Sequence, residues 1–339
     1  MATHLLSGFL LVFAAGLLQG TFILPMSMVK QWSWEHTWAT FSLIGMFVFN
    51  WIIAFLLVPK IFVVYAASPP RDIALLALFG LGWGVGAVLF GLGMDKLGMA
   101  LGYPIIMGLI ASLGALIPLL VFFPLTLLTS KGIFLLAGTV LVVFGIVLSS
   151  VGGSRRATSG DKSSSARTGA FAAGLIIAVM SGILSCLPNV GVAFGKSVIS
   201  AAGRMGIPEV AAGNTIWALL FTFGFVVNFA YCIYRMVRRR TLGQYWNRET
   251  PRNLGLSAMM ALMWIGSFYL YGAGAGRLGR WGVVAGWPLF ITISIVVGYL
   301  WGVWTGEWKD APQPARRLLN QGLLVLIVAV IIVGLSNFF

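Results

Sequence analysis

The sequence predicts an all-α polytopic membrane protein of ten transmembrane helices in two inverted five-helix repeats. Three observations predict it. The 339 residues are 59% hydrophobic and only 9% charged, with a mean hydropathy of +0.97, whereas a soluble domain carries about 25% charged residues. Apolar runs of about 20 residues, each long enough to cross a bilayer core of about 30 Å, recur along the chain between short polar breaks. A glycine-studded block is present twice, as FGLGWGVGAVLFGLGMDKLGMALG at 79–102 and MWIGSFYLYGAGAGRLG at 263–279. Aligned without gaps, the blocks place Trp83 on Trp264, Phe90 on Tyr271, Gly93 on Gly274, Lys96 on Arg277 and Gly98 on Gly279.

The ten spans are expected at 5–25, 38–58, 73–94, 99–123, 131–151, 169–190, 209–234, 255–275, 282–304 and 319–337. The first carries Gln19 and ends at Pro25, the second carries Asn50, and the third is the first glycine block running into the fourth. After the fifth, residues 152–168 are small, polar and charged, the composition of a flexible linker. This linker separates a first five-helix repeat, 1–151, from a second, 169–339. The sixth span contains SGILSCLP at 181–188, an echo of QGTFILP at 19–25. In each, a proline falls late in the first span of a half, where a helix either breaks beside a cavity or merely kinks. The seventh span holds Asn214, Trp217 and Asn228, and the eighth is the second glycine block. A unit with five crossings must insert its second copy upside down, and inverted repeats hold their substrate site near the midplane.

Charge sets the expected orientation. Fifteen of the 22 lysines and arginines lie in odd-numbered loops, including Arg155, Arg156, Lys162 and Arg167 and six arginines from Arg235 to Arg252. The positive-inside rule therefore puts the odd loops in the cytoplasm and both termini outside. The formal charge of +14 lies between apolar runs, so it implies contact with anionic lipid and not nucleic acid. The first run lacks a positive n-region and reads as a retained span, not a cleaved signal. Cys186 and Cys232 both fall in apolar runs, so no disulfide framework is expected. With only His4 and His36 present, neither a metal centre nor a cofactor is expected. An enzyme acting on lipid would cluster His, Asp or Glu at one interface, and these residues are scattered.

GAGRLG at 274–279 matches G-x-G-x-x-G literally, but a dinucleotide loop needs a preceding strand. Here a long apolar helix precedes it, so those glycines, like Gly80, Gly82, Gly84 and Gly86, are read as packing residues. Trp32, Trp34, Trp38, Trp301, Trp304 and Trp308 lie at span ends and fit an interfacial belt. Trp83, Trp217 and Trp264 lie within spans, where a flat indole with one N–H suits either core packing or a sugar face. Gln19, Asn50, Asn189, Asn214, Asn228, Tyr269 and Tyr271 are polar residues inside spans. They are either interhelical staples worth under about 1–2 kcal/mol each or the lining of a polar cavity. All eight acids fall at span ends or in loops, Asp95 and Glu209 coming nearest to mid-span, and Asp95 is expected to pair with Lys96 or Arg277. This leaves the proton-coupling residue unassigned.

The stretch FILPMSMVKQWSWEHTW at 22–38, VKxWSWE above all, resembles the corresponding loop of bacterial L-rhamnose–proton symporters. GLGMDKLGMALG at 91–102, VNFAYCIYR at 227–235 and LMWIGSFYLYGAG at 262–274 are similar too, so the resemblance runs nearly the full length. The chain departs from the family pattern at Ile265, Gly266, Ser267 and Ala275, where the family is more polar. This family belongs to the drug/metabolite transporter superfamily, which implies ten helices in two inverted repeats and alternating access. The expectation is a transporter of the bacterial inner membrane, driven by protons and carrying a deoxyhexose such as L-rhamnose. Its cavity is expected to be lined by Gln19, Trp83, Asn189, Asn214, Trp217, Trp264 and Tyr271, with Trp83 and Phe90 facing Trp264 and Tyr271. The alternative is an exporter or uncoupled carrier of amino acids or other small metabolites on the same scaffold.

Overall fold

The computed structural model describes residues 2–158, 164–278 and 286–338, and these contain helices and no strand. The chain enters as α1 (Ala2–Thr21), followed by a 3-10 turn at Leu24–Met28 that begins beside Pro25. The second span is α2 (Trp34–Ser42), a π-helical turn (Leu43–Phe49) and α3 (Asn50–Leu57). A short α4 (Ile61–Ala66) leads to α5 (Pro70–Leu97), α6 (Met99–Phe122) and α7 (Ser130–Thr158). The second half starts with α8 (Ser164–Ser185), α9 (Leu187–Phe194), α10 (Lys196–Arg204) and α11 (Glu209–Ala212). It finishes with α12 (Asn214–Arg239), α13 (Thr250–Leu278), α14 (Trp287–Trp304) and α15 (Gln313–Leu335).

Ten helical segments are long and apolar enough to cross a membrane, and their bounds follow the expected spans closely. Two differ. The sixth, Gly169–Arg204, is three helices in sequence, because Pro188 lacks the N–H that would carry α8 into α9. The seventh begins at Asn214, since the turn Glu209–Ala212 is separate and the Asn214 amide donates back to the Ala211 carbonyl (3.0 Å). The side chain of Glu209, residues 159–163 and Gly279 lie outside the described residues.

The chain divides into two compact units, one of Met1–Thr21, Leu89–Ile183 and Gly266–Phe339, the other of Phe22–Val88 and Leu184–Ile265. In the first, α7 and α15 pack antiparallel along a seam of small residues. Gly138, Gly145 and Gly152 recur every seven residues on α7 and face Ala329, Gly322 and Ala315, also seven apart, on α15. A seven-residue repeat keeps one stripe turned toward its partner as two helices coil, and small residues let the backbones approach. The seam carries helix into the first part of the expected linker, where Gly152 meets Ala315 and Leu319 and Gly153 meets Phe171. On the opposite side of α7, Ile133, Val140, Phe144 and Val147 are exposed, as helices lying against lipid require.

The fourth and ninth spans also pair in this unit, Gly298 and Gly302 of α14 lying against Tyr103 and Ala100 of α6. Glu307, just beyond α14, accepts the N–H groups of Met99 (2.8 Å) and Ala100 (2.9 Å) with its two carboxylate oxygens. An anionic cap on two otherwise orphaned N–H groups contributes about 1 kcal/mol. Gly98 before it takes φ +80°, and a Cβ there would run into the same carboxylate. In the second unit, α2, the π-helical turn and α3 run antiparallel along α12, with Glu35 opposite Arg235, Trp38 opposite Asn228 and Asn50 opposite Ala218.

Candidate functional site

The GLGWGVG segment of α5 is a helix with glycines on two faces. Gly80 and Gly84, one turn apart, rest on the backbone of α12 at Leu220 and Gly224, and Gly82 and Gly86 rest on Leu187 and Ser185. Residues four apart share a helix face, so alternate glycines allow α5 to be gripped from both sides. Trp83 between them is thereby pressed against Gly224, whose missing Cβ is the space that the indole occupies. Packing accounts for these glycines, as the sequence predicts, and the G-x-G-x-x-G match lies on a helix as far as Leu278. There Gly274 packs on Gly8 and Leu11, while a Cβ at Gly272 or Gly276 would meet nothing within 4 Å.

Trp83 and Trp264, the pair that the internal repeat aligns, lie face to face with centroids 6.2 Å apart and planes 17° apart. Both are buried, with 8% and 6% exposed, so neither stands on the lipid face. Phe221 of α12 joins them, at 5.2 Å from Trp83, 5.0 Å from Trp264 and 5.3 Å from Trp217. Phe41 closes on the edge of Trp264 at 5.8 Å. The π-helical turn brings Gly45 against the same indole, where a Cβ would sit 3.4 Å from Cε3, and such turns are frequent at functional sites. Three of the seven expected cavity residues are thus brought together, through a phenylalanine that nothing in its own sequence context singles out.

The remaining four divide. Asn189, on α9 just after the break at Cys186, is half-buried and makes no side-chain hydrogen bond among the described residues. Asn214 is buried at the start of α12. Gln19 and Tyr271 belong to the other unit. There Ser267 Oγ donates to Gln19 Oε1 (2.6 Å), and Tyr103 Oη donates to the Gln19 carbonyl (2.8 Å), one of the last carbonyls of α1 and so without a helical partner ahead of it. Tyr271 stands between Trp287 (5.3 Å) and Phe290 (5.1 Å) of the next span, as Phe90 stands edge-on to Tyr103 of its own next span (5.9 Å).

Two other polar residues serve as staples. Asn228 is fully buried, accepts from Trp38 Nε1 (2.8 Å) and donates to the carbonyls of Gly84 (3.1 Å) and Gly224 (2.8 Å). Asn50 donates to the Ala218 carbonyl at 3.2 Å. The belt reading also changes: Trp32, Trp38 and Trp308 are buried in protein, Trp308 beneath the Arg156 guanidinium (4.9 Å), while Trp304 is 78% exposed. Cys186 and Cys232 are both buried. Asp95 is exposed and forms no ion pair among the described residues, contrary to the expected pairing with Lys96 or Arg277.

Sequence reasoning missed the charged centre of the second unit. Glu35 and His36 are a fully buried carboxylate and imidazole, adjacent in the chain. Glu35 lies 3.5 Å from Arg239 Nη1 and 3.7 Å from Arg235 Nη2. Their place at a span boundary hid them, although an acid and a histidine inside a tryptophan-rich run facing an arginine cluster was the available signal.

A family model for the L-rhamnose-proton symport protein (RhaT) matches residues 1–338. The L-rhamnose-proton symporter of Shigella dysenteriae serotype 1 is 27% identical over 323 residues, covering 93% of each chain. The L-rhamnose-proton symporters of Salmonella paratyphi B and Salmonella newport are each 28% identical over 323 residues, with 93% of each chain covered. No solved structure matches the chain. With ten apolar helices and a family match that runs almost end to end, this multi-pass membrane protein belongs to the L-rhamnose-proton symport protein family.

Proposed function

We propose that the protein carries L-rhamnose together with protons across the bacterial inner membrane by alternating access. The family match over residues 1–338 carries this reading. Trp83, Trp217 and Trp264, with Asn189 and Asn214 proposed to act beside them, supply what a deoxyhexose asks for: indole faces for its C–H face and amides for its hydroxyls. Gln19 and Tyr271 are the further residues proposed to bind the sugar. Two inverted five-helix repeats are supported by pairing of equivalent spans: the fifth with the tenth, the fourth with the ninth, the second with the seventh.

The reading is tested in vesicles reconstituted with the purified protein. An inward proton gradient of one unit is expected to drive L-rhamnose to about tenfold accumulation at one proton per sugar. Absence of accumulation of this sugar under the gradient overturns it. The proposed orientation keeps the arginine-rich odd loops in the cytoplasm. A cysteine replacing Arg238 should then react with an impermeant maleimide only in broken cells, and labelling in intact cells would reverse the assignment.

A further inference from the structure

The second unit holds a cluster of buried polar atoms that make no hydrogen bond among the described residues. Of eight buried side-chain nitrogens and oxygens without a hydrogen bond among the described residues, six belong to Trp32, Trp34, Glu35, His36, Arg235 and Thr241. Buried polar groups are nearly always satisfied, so six orphans on touching residues mark a place built for something that comes and goes. A proton fits, because the orphans include both a base and an acid.

The imidazole can be assigned. His36 Nε2 lies 2.9 Å from the Thr241 carbonyl, and a carbonyl oxygen only accepts, so Nε2 carries the hydrogen and Nδ1 presents its lone pair. That lone pair is buried and unpartnered. Glu35 next to it is held loosely. Its Oε1 accepts from Arg239 at 3.5 Å, and its Oε2 has no donor, with Arg235 Nη2 3.7 Å away, against 2.7–2.9 Å for a well-made charge-assisted bond.

We propose that His36 Nδ1 is the proton-binding atom of this transporter, with Glu35 as the carboxylate for which the protonated imidazole competes against Arg235 and Arg239. The proposal rests on the symport reading above. The step is a simple protonation: a proton from solution forms the Nδ1–H bond, the cluster gains one positive charge, and the same proton leaves from Nδ1 on the other side of the cycle. Before it, Glu35 ties the start of α2 to the end of α12 through two arginines. After it, the imidazolium offsets that carboxylate, and the hold of α2 on α12 weakens.

The surroundings concentrate this effect. From α12 come Arg235, Arg239, Cys232 and Tyr231. From the turn after it comes Tyr245, whose hydroxyl donates to the His36 carbonyl (3.1 Å) and whose ring lies 4.7 Å from the imidazole. Burial pushes the Tyr245 phenol above its ordinary value, so it stays a neutral donor. Lys30 meets Asn253 of α13 through its backbone, and Glu249 is engaged with Arg252 (3.3 Å). Glu35, adjacent in the chain and only loosely paired with the arginines, is therefore the carboxylate left for the imidazole.

The experiment compares the parent protein with His36→Gln in rhamnose-loaded and gradient-driven vesicles. Glutamine keeps an N–H for the Thr241 carbonyl and removes the titrating nitrogen. H36Q is expected to retain counterflow, which needs no net proton movement, within about twofold, while gradient-driven accumulation falls about tenfold to the level of equilibration. Glu35→Gln is expected to abolish the pH dependence of the KM for rhamnose. A coupled parent with an equally coupled H36Q overturns this inference alone, as does an H36Q that loses counterflow together with accumulation. A parent that ignores the gradient overturns the symport reading and this inference with it.

Discussion

Replacing Trp264 with alanine is expected to abolish measurable rhamnose uptake, and replacing it with phenylalanine to retain a large part of it. Trp264 is the indole that touches the most of the cluster: Trp83 at 6.2 Å, Phe221 at 5.0 Å and Phe41 at 5.8 Å. Removing one aromatic wall from the proposed sugar site would forfeit about 1.5–3 kcal/mol of apolar contact, a loss of about tenfold to a hundredfold in affinity. Alanine also leaves a cavity among buried rings, at a cost of about 3–5 kcal/mol to the fold. Phenylalanine restores most of the volume and a flat face. Uptake and counterflow are measured beside detergent gel filtration, which reports folding. A W264A that folds and transports normally would remove the stack from the site, and so would a W264F as inactive as W264A.

Gly224→Val is expected to lower uptake at least about tenfold and to melt several degrees earlier, whereas Gly272→Ala is expected to do neither. A Cβ at Gly224 runs into the Trp83 ring, with Cε3 and Cζ3 in its way, and overpacking of this kind costs about 1–3 kcal/mol. The indole can yield only by leaving its place beside Trp264 and Phe221, so stability and transport fall together. Gly272 belongs to the other glycine block, and a Cβ there meets nothing within 4 Å. Alanine there gains about 1 kcal/mol of helix propensity. Transport by G224V equal to that of the parent, with unaltered melting, would show that Trp83 has no fixed place to keep.

These two glycines show where reading the chain succeeds and stops. Both sit in or beside glycine-rich apolar helix, and packing is the right general account of such residues. Only the neighbour across the interface distinguishes one that faces an indole from one that faces open space. The same holds for the amides. Asn228 and Asn189 are both asparagines within apolar runs, yet one is bonded to Trp38, Gly84 and Gly224 and the other has its side chain free of hydrogen bonds among the described residues. Glu35 and His36 were passed over because position along a span says how deep a residue lies in the bilayer, not whether protein encloses it.

By itself the sequence determined the all-α class, ten spans and the alignment of Trp83 with Trp264, because each is a local property. A helix in lipid must satisfy its own backbone, so its length and apolarity are written in consecutive residues, and duplication leaves its mark in order and spacing. The tertiary structure decided which of those residues meet. It put Phe221 between three tryptophans, carried Glu307 to the N-terminus of α6, and drew Arg235 and Arg239 toward a glutamate about 200 positions away. Such contacts depend on which helix faces which, and between helices that are all apolar, small differences in side-chain shape settle that choice.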